Sequence, residues 1–456
     1  MKSSKFYRHL FFLTLPIILQ NLVTTSLNLL DTLMIGKIGE VPLAAVGIAN
    51  QYYFLFSLFI FGIAGGSGVL IAQLYGKKDS DTIRQVLSRT LFTGTTFSIV
   101  FSLIGLSCAE SIIQLFNDSP EIVSIGSLYL RITIVSYLFT SISFIFASAL
   151  RSVNNTKLPM YASVIGLCVN GALNYILIFG HLGFSPLHTK GAAIATLIAR
   201  TLECFILVIS VIKYAPELLP KTSDLNGCSS ETEHTLRKVT LPILFNEACW
   251  GIGSVTYIAL YAHLGTQATA TMQISSTIIN LFMVISFGLA YSSLVIVGNE
   301  VGAGQNRKAM EAAQKIRVLT VSISVILSLI VFLSAEHIAT GFNVSSTVAL
   351  MTTNVLKCFA LMFTLRTLNM VMIVGILRGG GDATFGSVLQ GFTLWFIGIP
   401  LTYVAGFIYH YPLHYVVGIS IVEEIVKLLL ITRRYHSKRW IHNIVESPST
   451  IEYAIE

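Results

Sequence analysis

Apolar residues come in twelve long stretches, near residues 10–35, 44–74, 87–108, 122–150, 159–180, 190–213, 240–263, 268–298, 315–334, 347–377, 385–407 and 413–432. The hydrocarbon core of a bilayer is about 30 Å thick and takes about 20 apolar residues per helical crossing. Backbone polar groups find no water there, so stretches of this length must be helices that close their own hydrogen bonds. The expected fold is an all-α polytopic membrane protein with twelve transmembrane helices. Composition agrees, since 54% of the 456 residues are hydrophobic and only 11% are charged, where a soluble chain carries about 25%. Little chain is left for a soluble domain. Lys2, Lys5 and Arg8 ahead of the first run have the layout of an export signal. That run is too long for one and holds Pro16 and Asp31, so it reads as the first span.

A formal net charge of +7 invites a nucleic-acid reading. The basic residues are instead parcelled out between the apolar runs, and they alternate from loop to loop. One side receives Lys77, Lys78, Arg84 and Arg89, then Arg151 and Lys157, Lys221, Arg237 and Lys238, Arg307 and Lys308, Arg378, and finally Arg433, Arg434, Lys438 and Arg439. The opposite loops offer only Lys37 and Lys190. Basic loops stay on the cytoplasmic side. The expectation is a multi-pass protein of the cell membrane with both termini cytoplasmic, whose partner is the lipid bilayer rather than nucleic acid. The six cysteines show no metal-binding spacing and the ten histidines are dispersed, so neither a cofactor nor an enzymatic centre is expected.

The chain also repeats itself. Leu15-Pro16-Ile17 recurs as Leu241-Pro242-Ile243, and at the same offset of about 226 residues Gly39 meets Gly265, Ala44 meets Ala270 and Gly76 meets Gly302. Leu150-Arg151 and Leu377-Arg378, like Gly191 and Gly418, match with a shift of one. Two six-helix lobes follow, at 1–213 and 240–434, with a cytoplasmic linker at 214–239 and a cytoplasmic tail at 435–456. Six crossings return the chain to its starting side, so the lobes share an orientation and are related by an axis along the membrane normal.

Charges inside spans cost about 2.5 to 3.5 kcal/mol on insertion scales, so they invite a functional reading. Asp31 shares one face of the first helix with Asn21, Thr24 and Asn28 at spacings of three and four. Asn170 and Asn174, at i and i+4, offer carbonyl oxygens suited to a hard cation. In the second half Glu247 lies just after Pro242, and Tyr257 and Tyr261 continue roughly its face as a candidate cavity wall, together with Asn28 of the first half. Pro16 and Pro242 are candidate helix-bending points. Arg366 and Asn369 are candidate partners for Glu247. Arg200 with Glu203, and Lys427 with Glu423 and Glu424, are spaced for local pairing.

These residues resemble the multidrug and toxic compound extrusion (MATE) family, NorM-like branch, over nearly the whole chain. The resemblance is carried by Pro16 with Asp31-Thr32, Ile35-Gly36 and Gly39. It is carried equally by the paired signatures Leu150-Arg151 through Thr156-Lys157-Leu158-Pro159 and Leu377-Arg378-Gly379-Gly380-Gly381-Asp382-Ala383-Thr384. It implies a secondary antiporter, acting as a monomer, that exports organic and often cationic drugs or metabolites in exchange for Na+ or H+ by alternating access. Asp31, Asn170 and Asn174 match the family's amino-lobe cation site, a possible Na+ site, with Thr196 as a further match. Many members have aspartate where this chain has Asn174. Glu247 matches the acid of the NorM-like branch, whose additional aspartate is replaced by Thr367. Fewer carboxylates leave both coupling ions open. A lipid-linked saccharide flippase of the same broad superfamily is the alternative, disfavoured by two intramembrane acids.

Overall fold

The computed structural model describes residues 3–221, 228–342 and 344–446, with the side chains of residues 3, 27 and 28 also outside the description. Among the described residues the chain is helical, with a single isolated β-bridge between Gly381 and Ile441. The first half comprises α1 (Ser3–Gly36), α2 (Glu40–Lys77), α3 (Ser80–Ser107), the short α4 (Ala109–Gln114), α5 (Pro120–Thr133), α6 (Ser136–Ser152), α7 (Lys157–Phe179) and α8 (His188–Tyr214). The second comprises α9 (Ser230–Ala262), α10 (Thr266–Gly302), α11 (Asn306–Thr340), α12 (Ser346–Met370), α13 (Ala383–Thr393), α14 (Ile399–Tyr403), α15 (Leu413–Gly418) and α16 (Ile421–His436). A π-helical segment carries α12 on to Leu377, and two more join α13 and α14 into the span Ala383–Ile408.

Ten helices among the described residues are long and apolar enough to cross a bilayer, and α5 with α6 makes an eleventh, bent by 49°. The stretch expected to be the twelfth span is built from α15 and α16. Glu423, Glu424 and Lys427 lower its apolar character, and all three are buried.

The chain divides into two compact units, neither of them contiguous: one holds Met1–Thr14, Ala72–Lys78 and Leu241–Glu456, the other Leu15–Ile71 and Asp79–Thr240. Both changes of unit at the starts of α1 and α9 fall immediately before the repeated prolines, Pro16 and Pro242, which lie inside continuous helices. Proline cannot donate to the carbonyl four residues back, so the ladder is opened at Phe12 and Lys238. The turns ahead of each proline pack with the other half. Phe6, Leu10 and Leu13 join the core that holds Leu289, Val297 and Val301, and Thr14 Oγ1 meets Ser292 Oγ at 2.7 Å. At the equivalent place in the second unit, Thr240 fills the space a side chain would need on Gly66. Thr14 and Thr240, like Gly66 and Ser292, are repeat mates.

The end of α2 and the segment after α16 are sewn into the first unit. The Gln73 amide donates to Gly379 O (3.0 Å) and His442 O (3.1 Å) and accepts from Ile444 N (3.0 Å). Lys77 Nζ donates to Val445 O at 2.8 Å. Trp440 is fully buried, stacks on Tyr435 and occupies the place a side chain would take on Gly380. The three glycines of the Gly379-Gly380-Gly381 signature thus have separate reasons. A side chain at Gly379 would meet the Leu294 carbonyl, Gly380 makes room for the indole, and Gly381 turns at φ 93°. Replacing Trp440 by alanine empties a site with no solvent access and is expected to cost about 3 to 5 kcal/mol. The check is a clear fall in melting temperature of the purified variant.

Candidate functional site

Sets of polar side chains lie within the spans of both units. The first is positioned by α1, α7 and α8. Gly180, in the left-handed conformation at φ 76°, closes α7, and Leu187 N donating to Leu177 O at 2.9 Å turns the chain back into α8. That return places Thr196 of α8 beside the Asn170 and Asn174 face of α7.

Asn170 Nδ2 donates to Thr196 Oγ1 at 3.4 Å, Asn174 Nδ2 donates to Asn170 Oδ1 at 2.9 Å, and the same Asn174 amide donates to Asp31 Oδ1. Asp31, Asn170, Asn174 and Thr196, distant in sequence, therefore form one chain of hydrogen bonds. Both asparagines are fully buried and Asp31 is half-buried. Asn174 Oδ1 is buried without a partner. An orphaned acceptor of this kind costs about 1 to 3 kcal/mol, and here it lies on the amide that touches the carboxylate. Among the described residues there is no cluster of three or more His, Cys, Asp or Glu that could hold a metal ion. A cation here would be held by one carboxylate and neutral oxygens.

Beside this chain runs a second network that sequence reasoning saw only in part. Arg200 pairs with Glu203 at 3.0 Å, as their spacing suggests. Ser163 Oγ donates to Glu203 Oε1 at 2.7 Å, Gln20 Nε2 donates to Ser163 Oγ at 3.2 Å, and Arg151 reaches Gln20 Oε1 at 3.1 Å. The signature arginine is thus tied to the first helix. Thr24 turns its hydroxyl back to Gln20 O of its own helix, and the side chain of Asn28 lies outside the described residues.

In the other unit the expected grouping separates. Arg378 NH2 donates to Glu247 Oε1 at 3.3 Å, with the arginine side chain 5% and the glutamate side chain 21% exposed. Arg366 and Asn369, expected near Glu247, go to Glu424 instead: Asn369 Nδ2 donates to Glu424 Oε2 at 2.8 Å, and Arg366 lies 3.8 Å from Oε1. The reason is register, since α12 presents these two residues to α16 and only the turn after Leu377 brings an arginine to α9. Tyr257 and Tyr261 stack with ring centroids 6.0 Å apart, and Tyr257 donates to Glu423 Oε2 at 3.2 Å. The tyrosines therefore belong with the α16 acids. Thr367 is buried and bonded to Ser286 at 2.9 Å.

Neutralising Glu247 alone leaves Arg378 charged, nearly buried and unpaired. Glu247→Gln is expected to lose on the order of 2 kcal/mol, less than the 3 to 5 of a fully buried pair because Glu247 is partly solvated. The double variant Glu247→Gln with Arg378→Gln should recover most of it in thermal unfolding.

A family model described as MatE matches residues 16–176 and again 242–404, so the same pattern recurs in both halves. The uncharacterized transporter YisQ of Bacillus subtilis is 23% identical, with 95% of this chain and 94% of that protein covered. A probable multidrug resistance protein NorM of Thermotoga maritima is 22% identical over 86% of this chain and 84% of its own length. The crystal structure of a mutant of the Vibrio cholerae MATE transporter VcmN superposes with a TM-score of 0.89 at 18% identity, covering 97% of this chain and 98% of that one. It shares the fold.

Proposed function

We propose that this chain, which belongs to the MatE family, is an antiporter that exports organic and often cationic compounds across the cell membrane in exchange for Na+ or H+. Membership makes it a transporter of small substrates and not an enzyme. The sequence halves 1–213 and 240–434 act as the lobes that alternate, with 214–239 as linker, 435–456 as tail, both termini cytoplasmic and one chain sufficient. The recurrence of the family pattern at the repeat interval supports that division.

The observation that carries the reading is the Asp31–Asn174 contact with the orphaned Asn174 Oδ1. With Asp31 ionised and no cation present, the amide must offer Nδ2 to the carboxylate. Turning the amide over brings Oδ1 to Asp31 instead, which is favourable only when Na+ lies between the oxygens or a proton sits on the carboxyl. Cation arrival is thereby converted into a rearrangement of the Asn170 and Thr196 chain behind it. The ion then shifts the populations of two conformations by binding one of them better, and so promotes substrate release. Asp31 is the primary coupling residue, assisted by Asn170, Asn174 and Thr196. Glu247 acts only once Arg378 lets go of it, with Tyr257 and Tyr261 as an aromatic wall and Pro16 and Pro242 as bending points.

The test is transport in proteoliposomes with a Na+ gradient and a pH gradient imposed separately against a panel of fluorescent organic cations. Export dependent on one gradient is expected. Movement of the cations indifferent to both gradients would contradict antiport.

A further inference from the structure

The repeat that relates the two halves also relates the Asp31 site to a set of residues in the other unit. Asp31 matches Tyr257 at the offset of 226. Leu150-Arg151 and Leu377-Arg378 stand 227 apart, and the π-helical turn Leu394–Gly398 takes one residue more than an α-turn, so Asn170 and Asn174 match Gly398 and Thr402. Gly191 and Gly418 carry the offset back to 227 on the last helix, which matches Thr196 with Glu423 and Arg200 with Lys427. The mates of the second half also meet in space. Tyr257 donates to Glu423 Oε2 at 3.2 Å, and a side chain on Gly398 would run into both groups. Thr402 is buried one turn beyond Gly398 and donates to its carbonyl at 2.8 Å.

The two sites differ in where their charges lie. In the first, the carboxylate comes from α1, and the basic residue of α8 is held elsewhere: Arg200 pairs with Glu203 at 3.0 Å, leaving Asp31 with the Asn174 amide. In the second, a hydroxyl stands where Asp31 would, a carboxylate stands at the position of Thr196, and the basic residue reaches back to it. Lys427 Nζ lies 2.8 Å from Glu423 Oε1 and 3.1 Å from Glu424 Oε1. All three residues are less than a tenth exposed. Buried ion clusters seldom stabilise more than apolar packing would, so one kept within a span invites a role of its own. An ammonium set between two carboxylate oxygens makes the contacts that a free monovalent cation would make there. Asn369 repeats the arrangement of Asn174: its Nδ2 donates to Glu424 Oε2 at 2.8 Å, while its buried Oδ1 has no partner.

We propose that Lys427 is the resident cation of this second site: a tethered ammonium fills it, so that Asp31 has no exchangeable counterpart at the equivalent place in the second half. This rests on the reading of Asp31 as the coupling residue. The test is thermal unfolding of purified protein in an Asp31→Asn background, which silences the first site. The probe is n-propylammonium chloride, the part of the lysine side chain that Lys427→Ala removes, with tetramethylammonium chloride at the same concentration as control for ionic strength. Asp31→Asn alone should respond alike to the two salts. With Lys427→Ala added, the melting temperature should fall, and n-propylammonium but not tetramethylammonium should restore a few degrees by binding the folded state. Adding Glu423→Gln and Glu424→Gln should recover the melting temperature without the amine and abolish the response. If the Lys427→Ala protein does not accumulate, neutralising the two acids should bring folded protein back. A Lys427→Ala protein that melts like its parent and ignores the amine, acids whose neutralisation recovers nothing, or an amine response with Lys427 in place would overturn the role of Lys427. No gradient or substrate enters this measurement, so such a result leaves antiport standing. Failure of the export assays would count against antiport and leave this result unchanged.

Discussion

Asp31→Asn is expected to reduce gradient-driven export to the level of protein-free vesicles while the variant inserts and purifies like the parent. The substitution is nearly isosteric, and an asparagine oxygen at this position still accepts from the Asn174 amide that now bonds Asp31 Oδ1. The packing of α1 against α7 therefore survives. What is lost is the negative charge, and with it any reason for the Asn174 amide to turn when a cation arrives. Removing Glu247 should not mimic this, because that carboxylate already has a cationic partner in Arg378. Export by Asp31→Asn at the parental rate would remove Asp31 from the mechanism.

The second large effect is on folding. Gly302→Ala is expected to prevent accumulation of folded protein, or to leave it with a melting temperature far below the parent's. A methyl group at Gly302 falls on the backbone carbonyl and Cα of Gln73, and one at Gly76 falls on the carbonyl of Asn299. Gly76 and Gly302 are repeat mates, as are Gln73 and Asn299, so the ends of α2 and α10 meet in a reciprocal contact of backbone on backbone. No side chain can rotate away, and the strain should exceed the ~1 to 3 kcal/mol usual for overpacking. Separating the helices also pulls Gln73 from the three backbone groups it binds. Gly47→Ala is the control. Nothing lies within 4 Å of a Cβ there, and alanine is worth up to ~1 kcal/mol more than glycine in a helix.

The helices were legible because lipid removes the alternatives: a long apolar run can satisfy its backbone only as a helix. The repeat is legible too, because Gly76 and Gly302 stand at its common offset. Helical spacing put Asn170 and Asn174 on one face. Family resemblance, not spacing, linked them to Asp31 and Thr196, which lie on other helices. Partner choice among long charged side chains was not legible. Glu247 and Arg378 are 131 residues apart, and which arginine reaches an acid is set by helix crossings that no local pattern encodes. The same is true of Tyr257, whose partner Glu423 comes from the helix whose charges make it the least apolar of the expected spans. Local pairs such as Arg200 with Glu203 were readable because one helix fixes both ends.

Obligatory exchange through Asp31 can be measured by recording ion and substrate fluxes together in one set of proteoliposomes, with substrate loaded inside and no ion gradient imposed. Outward movement of substrate should draw Na+ or H+ inward, and Asp31→Asn should abolish both fluxes together. Substrate leaving at an undiminished rate with no counter-movement of either ion would contradict it.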